Sequence, residues 1–156
     1  MKTLVLGIGN ALLCDEAIGV LVARRLAQEY AGQEDIHCID GGTLSFTLSD
    51  SIGMAQQLIV VDAAHMGCPP GTVSVFEGAA MDQRLRHHAK SVHETSLSDL
   101  LDIARLTDSL PPRRALIGIE PAKIGWGLDL TPAVASAVPK AIAEIRALLS
   151  LWQEQP

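Results

Sequence analysis

Four short apolar runs punctuate the chain: Thr3-Leu4-Val5-Leu6, Ile36-His37-Cys38-Ile39, Leu58-Ile59-Val60-Val61 and Ala115-Leu116-Ile117-Gly118-Ile119. They are too short for buried helices, and Gly7, Asp40, Asp62 and Glu120-Pro121 follow them, so they read as strands, the first, third and fourth of them buried and the second short. Between them the apolar period changes to that of a helix. Ile18, Leu21, Val22 and Leu26 predict one from Ala17 to Tyr30, entered through the turn Gly7-Ile8-Gly9-Asn10 and beginning near Asp15-Glu16. Leu97, Leu100, Leu101 and Ala104 predict a second, and a third closes the chain from about Pro132 to Trp152. A weaker helix is expected between Thr43 and Gly53.

Pro69-Pro70-Gly71 turns the chain into Thr72–Phe76, an alternating segment that suits a sheet edge. Glu77 to Val92 shows no clear period and is expected to be a mobile loop, and His93 to sit in a polar stretch ahead of the next helix. Alternating strands and helices predict an α/β fold of three αβα layers. Its sheet should be mostly parallel and twisted, of about five strands, with one antiparallel edge strand. No repeat or long linker divides residues 1–156, so one domain is expected.

Composition narrows the classes. Apolar residues make up 48% of the 156 residues and charged residues 19%, which fits a packed core rather than disorder. Twelve basic against eighteen acidic side chains give a formal charge of −6 without a basic cluster, so nucleic acid is excluded as a natural partner. No stretch of eighteen uncharged apolar residues offers a membrane span. The first apolar run is broken by Gly7, Gly9 and Asn10 and followed by Asp15-Glu16, unlike a secretion signal. Cys14, Cys38 and Cys68 are odd in number and widely spaced, as reduced thiols of a cytoplasmic protein would be.

In an open parallel sheet the carboxyl ends of the strands share one edge, and ligands bind there. Glu16 and Asp62 each follow a predicted strand, and His93 can converge with them on one metal ion. Each has an ordinary explanation: an acid in a first helical turn, an aspartate turning the chain, a loop histidine. Together they give mixed oxygen and nitrogen ligands with open positions, compatible with nickel, zinc or manganese. His65 is a reserve ligand, and His87-His88 read as solvated loop residues.

Rival motifs fail. Gly7-Ile8-Gly9 lacks the third glycine of a dinucleotide fingerprint, because Leu12 holds that place, although Asp40 could stand in for the ribose-binding acid. His93-Glu94-Thr95-Ser96-Leu97 lacks the second histidine of a zinc-peptidase helix, and no Gly-x-Ser-x-Gly elbow occurs.

Taken in order, the motifs resemble those of the hydrogenase maturation endopeptidases. Gly7-Ile8-Gly9-Asn10-Ala11-Leu12-Leu13-Cys14-Asp15-Glu16 is similar to the family's opening motif, Asp40-Gly41-Gly42-Thr43 to its second and Val60-Val61-Asp62-Ala63 to its third. The His93 region with Leu97 and Leu100-Leu101 resembles the fourth, and Gly118-Ile119-Glu120-Pro121 a late one. The resemblance implies removal of a C-terminal extension from the large-subunit precursor of a nickel–iron hydrogenase, after nickel insertion. Glu16, Asp62 and His93 match the family's metal-binding positions, which makes them candidate catalytic residues.

By the same resemblance, nickel arrives with the precursor as the recognition signal, and other divalent ions can occupy the site in vitro. Asp40 is a candidate for positioning or deprotonating the attacking water, or for bracing its loop, while Gly41, Gly42 and Thr43 match a substrate-recognition region. A monomer acting in the cytoplasm, on no membrane, is the expected form. Two positions depart from the pattern: Ala17 and Ser45 stand where glycine is common. Rival functions are a non-catalytic protein that checks nickel loading, and a nucleotide-binding α/β protein.

Overall fold

The computed structural model describes residues 2–87 and 92–154. The four apolar runs form parallel strands: β1 (Thr3–Gly7), β2 (Ile36–Asp40), β3 (Gln57–Ala63) and β5 (Arg113–Ile119). The alternating segment forms β4 (Val73–Glu77), which runs antiparallel to β5 at the sheet edge. The strand order is β2-β1-β3-β5-β4. This is the expected mostly parallel sheet with one antiparallel edge strand.

Because side chains alternate across a strand, each run feeds two cores. Val5, Ile59, Val61 and Ile117 face α1 (Ile18–Glu29) and α5 (Pro132–Glu154). Leu4, Leu6, Leu58, Val60 and Leu116 face the other way, toward α2 (Leu48–Met54), α3 (Ala79–His87) and α4 (Val92–Leu106). Helices therefore cover both faces, which explains why the strands carry so few polar residues.

The close seating of α1 depends on glycine. A Cβ on Gly7 would lie 2.2 Å from the Gly19 carbonyl oxygen, and one on Gly19 would lie 2.2 Å from that of Val61. Gly19 thus provides the tight helix–strand contact that a dinucleotide fingerprint assigns to its third glycine. Among the described residues, no helix is long and apolar enough to cross a membrane.

Two expectations need correction. Residues 79–87 are not a mobile loop but the helix α3, and the remainder of that expectation at 88–91, including His88, lies outside the described residues. Met81 and Leu85, one turn apart, are the helix's buried apolar anchors. The rest of its hold is ionic. Asp82 receives both Nε (2.9 Å) and Nη2 (2.6 Å) of Arg114 from β5, and Arg84 pairs with Glu94 at 2.9 Å. Such a helix leaves little hydrophobic period to read. The second correction concerns His93, which lies in the first turn of α4 rather than ahead of it.

Candidate active site

The trio is assembled by three elements. Asp62 is the penultimate residue of β3, opposite Gly118 in the β5 register. Glu16 sits in a short 3-10 turn, Cys14–Ala17, that leads into α1. His93 comes from the other layer, on α4. His93 Nδ1 lies 3.7 Å from Glu16 Oε1 and 3.8 Å from Asp62 Oδ1. The structure therefore brings the three predicted residues together. Both separations exceed hydrogen-bonding distance. Among the described residues, no three His, Cys, Asp or Glu side chains form a ready-made metal cage.

Asp62 is 1% exposed, and its Oδ1 has no hydrogen-bond partner. Burial pushes its carboxyl up to about 6, with His93 opposing the shift. The neighbouring Asp62, joined by Glu16 and Glu94, holds the His93 imidazole above its ordinary value against the effect of burial. Each group thus favours the charged form of the other, and Asp62 Oδ1 is still left without a donor.

Neighbouring Asp15, which the sequence reading left unassigned, explains how Glu16 is placed. Asp15 Oδ2 accepts from the Ala122 and Lys123 amides, each at 2.9 Å, and Oδ1 from the Thr131 amide at 2.7 Å. The Thr131 hydroxyl donates to the same carboxylate. Asp15 thereby ties the segment after β5 to the 3-10 turn. The tie is reinforced by Cys14 N–H to the Gly127 carbonyl (2.9 Å) and Gly127 N–H to that of Leu12 (3.0 Å). Two adjacent acids divide the work, one structural and one at the site. Nothing in the dipeptide itself distinguishes them.

Asp40 lies at the end of β2, paired in register with Gly7. Both of its oxygens are engaged. Oδ1 accepts the Gly42 amide at 3.0 Å, and Oδ2 takes Arg24 through Nε (2.9 Å) and Nη2 (2.7 Å). Gly41 N–H donates to the Gly7 carbonyl and Gly9 N–H to that of Gly42, both at 2.8 Å. The two glycine loops are stitched together, with Gly42 at φ +52° and Leu44 at +66°. Thr43 between them is exposed.

His65 belongs elsewhere: its Nδ1 is 3.8 Å from Glu120 Oε1, and Glu120 Oε2 accepts the Met66 amide at 2.6 Å. A further pair escaped sequence reasoning. Arg84 and Glu94 are both buried, and the Arg84 guanidinium also donates to the His65 carbonyl at 3.1 Å and covers the Phe76 ring. Glu94 follows His93, so this pair holds the turn that presents the imidazole. Leu12, Phe46, Val92, Trp126 and Leu128 are exposed large apolar side chains.

Comparison with known proteins assigns the class first. The hydrogenase maturating endopeptidase HybD from E. coli superposes with a TM-score of 0.89 at 32% identity, covering 96% of this chain and 93% of that one. The NiFe hydrogenase maturation protease HybD from Thermococcus kodakarensis gives 0.81 at 26% identity, over 95% and 99%. The chain is accordingly a hydrolase of the endopeptidase class. The hydrogenase expression/formation protein HupD of Rhodobacter capsulatus is 36% identical over 152 residues, 97% of this chain and 72% of that protein. The model of the hydrogenase maturation protease family matches residues 20–148, and the chain belongs to that family.

Proposed function

We propose that this protein removes the C-terminal extension of a nickel–iron hydrogenase large-subunit precursor, and that the nickel already in the precursor licenses the cut. The observation that carries this reading is the buried, unpartnered Asp62 Oδ1 beside Glu16 and His93. Leaving a buried carboxylate oxygen unsatisfied costs stability, which a cation arriving with the substrate would offset. Two carboxylates and an imidazole suit nickel, and they admit other divalent ions in vitro.

Asp62 and Glu16 supply negative charge, His93 supplies a nitrogen donor, and their spacing leaves room for an ion held jointly with the precursor. Such an ion polarises a carbonyl or lowers the pKa of a bound water. Asp40, engaged by Arg24 and Gly42, braces the substrate loop of Gly41, Gly42 and Thr43. The enzyme works as a cytoplasmic monomer in this reading.

Incubation with nickel-loaded and nickel-free precursor, followed by mass spectrometry of the C-terminus, tests it. Loss of the extension from the loaded form alone is expected. Equal cleavage of both forms would remove nickel as the signal. Tight association with an intact C-terminus would make the protein a non-catalytic check on loading.

A further inference from the structure

A cavity of about 190 Å³ opens between the loop after β2 and α4, lined by Leu44, Ser45, Phe46, Ser96, Asp99 and Leu100. The trio does not line it, but the two sites adjoin. Ser96 and Leu100 follow His93 by three and seven residues and share its helix face. At 1.5 Å per residue, they stand about 4.5 and 10.5 Å further along the axis. An extended peptide advances about 3.3 Å per residue. A substrate strand running along α4 with one bond at the trio would therefore place a side chain one to three residues away over this cavity.

The wall opposite α4 is shaped for the purpose. Leu44 adopts φ +66°, an unfavourable region for leucine, and its amide donates to the Gly41 carbonyl at 3.0 Å. The Asp40–Arg24 pair and the Gly42 amide hold the loop that imposes this conformation. Phe46 is 74% exposed at the rim, an apolar surface left for something to cover. Ser45, one of the two positions where this chain departs from the pattern it resembles, lines the cavity, with its hydroxyl fixed on Thr47.

Resting on the protease reading above, we infer that this cavity is a specificity pocket for one aliphatic side chain of the precursor, within three residues of the scissile bond. Leu44, Phe46 and Leu100 supply the apolar lining. Asp99, the charged residue of the lining, repels an acidic side chain at that position. Ser45 sets the width, because its side chain stands in the loop wall.

The test is a series of nickel-loaded precursors carrying Ala, Leu, Phe or Asp at each of the three positions on either side of the bond. Wild-type enzyme, Ser45→Gly and Ser45→Leu would each be assayed for kcat/KM, with melting curves to confirm folding. At one position, wild type should favour Leu over Ala, and Ser45→Leu should lower that ratio about tenfold. Ser45→Gly should raise the relative rate for Phe, and carries the test alone should Ser45→Leu fail to fold. Cleavage by wild type with ratios unchanged in both variants would overturn the pocket and leave the protease assignment intact. No cleavage of any precursor by wild type would overturn both.

Discussion

Asp15 and Asp62 are equally hidden, at 0% and 1% exposure, yet their surroundings are opposite. Asp15 joins the 3-10 turn to the segment after β5 and is surrounded by donors. Burial raises its pKa, but hydrogen bonds from Thr131, Lys123 and Ala122 outweigh that effect and hold it below the usual carboxylate range. Asp62, near the end of β3 and beside His93, keeps one oxygen without a donor and is pushed up to about 6. A saturated buried carboxylate fastens the fold. An unsaturated one leaves interaction energy for a ligand to collect.

Substitutions can break this contrast. Asp62→Asn removes charge from the site while keeping its shape, so cleavage of loaded precursor should fall on the order of a thousandfold, the size of a lost electrostatic contact in a water-poor site. Its melting temperature should hold or rise, since a poorly satisfied buried charge is gone. A clear drop would mean that Asp62 is a fold anchor like Asp15. Asp15→Ala should show the reverse emphasis. It strands the Ala122, Lys123 and Thr131 amides, and chemical denaturation should report a loss of about 3 kcal/mol.

Asp40→Asn sits between these extremes. The amide can still accept from Gly42 but loses the Arg24 pair, which is partly exposed, so denaturation should register at most about 1 kcal/mol. Cleavage should persist within about tenfold, as for a residue that braces a substrate loop. Abolished cleavage in a stable Asp40→Asn protein would instead give this carboxylate a chemical role. The smallest effect concerns Asp82, whose carboxyl the Arg114 hydrogen bonds hold below its ordinary value. Its folded pKa lies below the unfolded one, so its contribution is complete above the unfolded value of 3.8 and is lost as pH falls through the folded value. Asp82→Asn should therefore lower the melting temperature above pH 3.8 and change it little at the acid end, which flattens the acid limb of the profile.

The same contrast separates what the chain discloses from what it conceals. Strands buried on both faces must be apolar throughout, so β1, β3 and β5 announce themselves as unbroken runs and fix the edge where Asp62 ends. The convergence of Glu16, Asp62 and His93 follows from that shared edge. Polar anchoring has no period. α3 is fastened by Asp82 and Arg84 as much as by Met81 and Leu85, and their partners Arg114 and Glu94 lie in the next strand and the next helix. For the same reason Asp15 was indistinguishable from Glu16, because its donors lie more than a hundred residues away. The histidine that the pattern placed in a loop is helical because α4 starts one residue before it.

In the proposed reaction Glu16, Asp62 and His93 jointly read an ion carried by the precursor. Nickel X-ray absorption on loaded precursor, frozen alone and with the enzyme before cleavage, tests it most directly. Mixing should add nitrogen and oxygen scattering to the nickel shell, with the nitrogen component absent for His93→Ala and the oxygen component reduced for Asp62→Asn. A nickel spectrum that the enzyme leaves unchanged, in a mixture that still goes on to lose the extension, would contradict it.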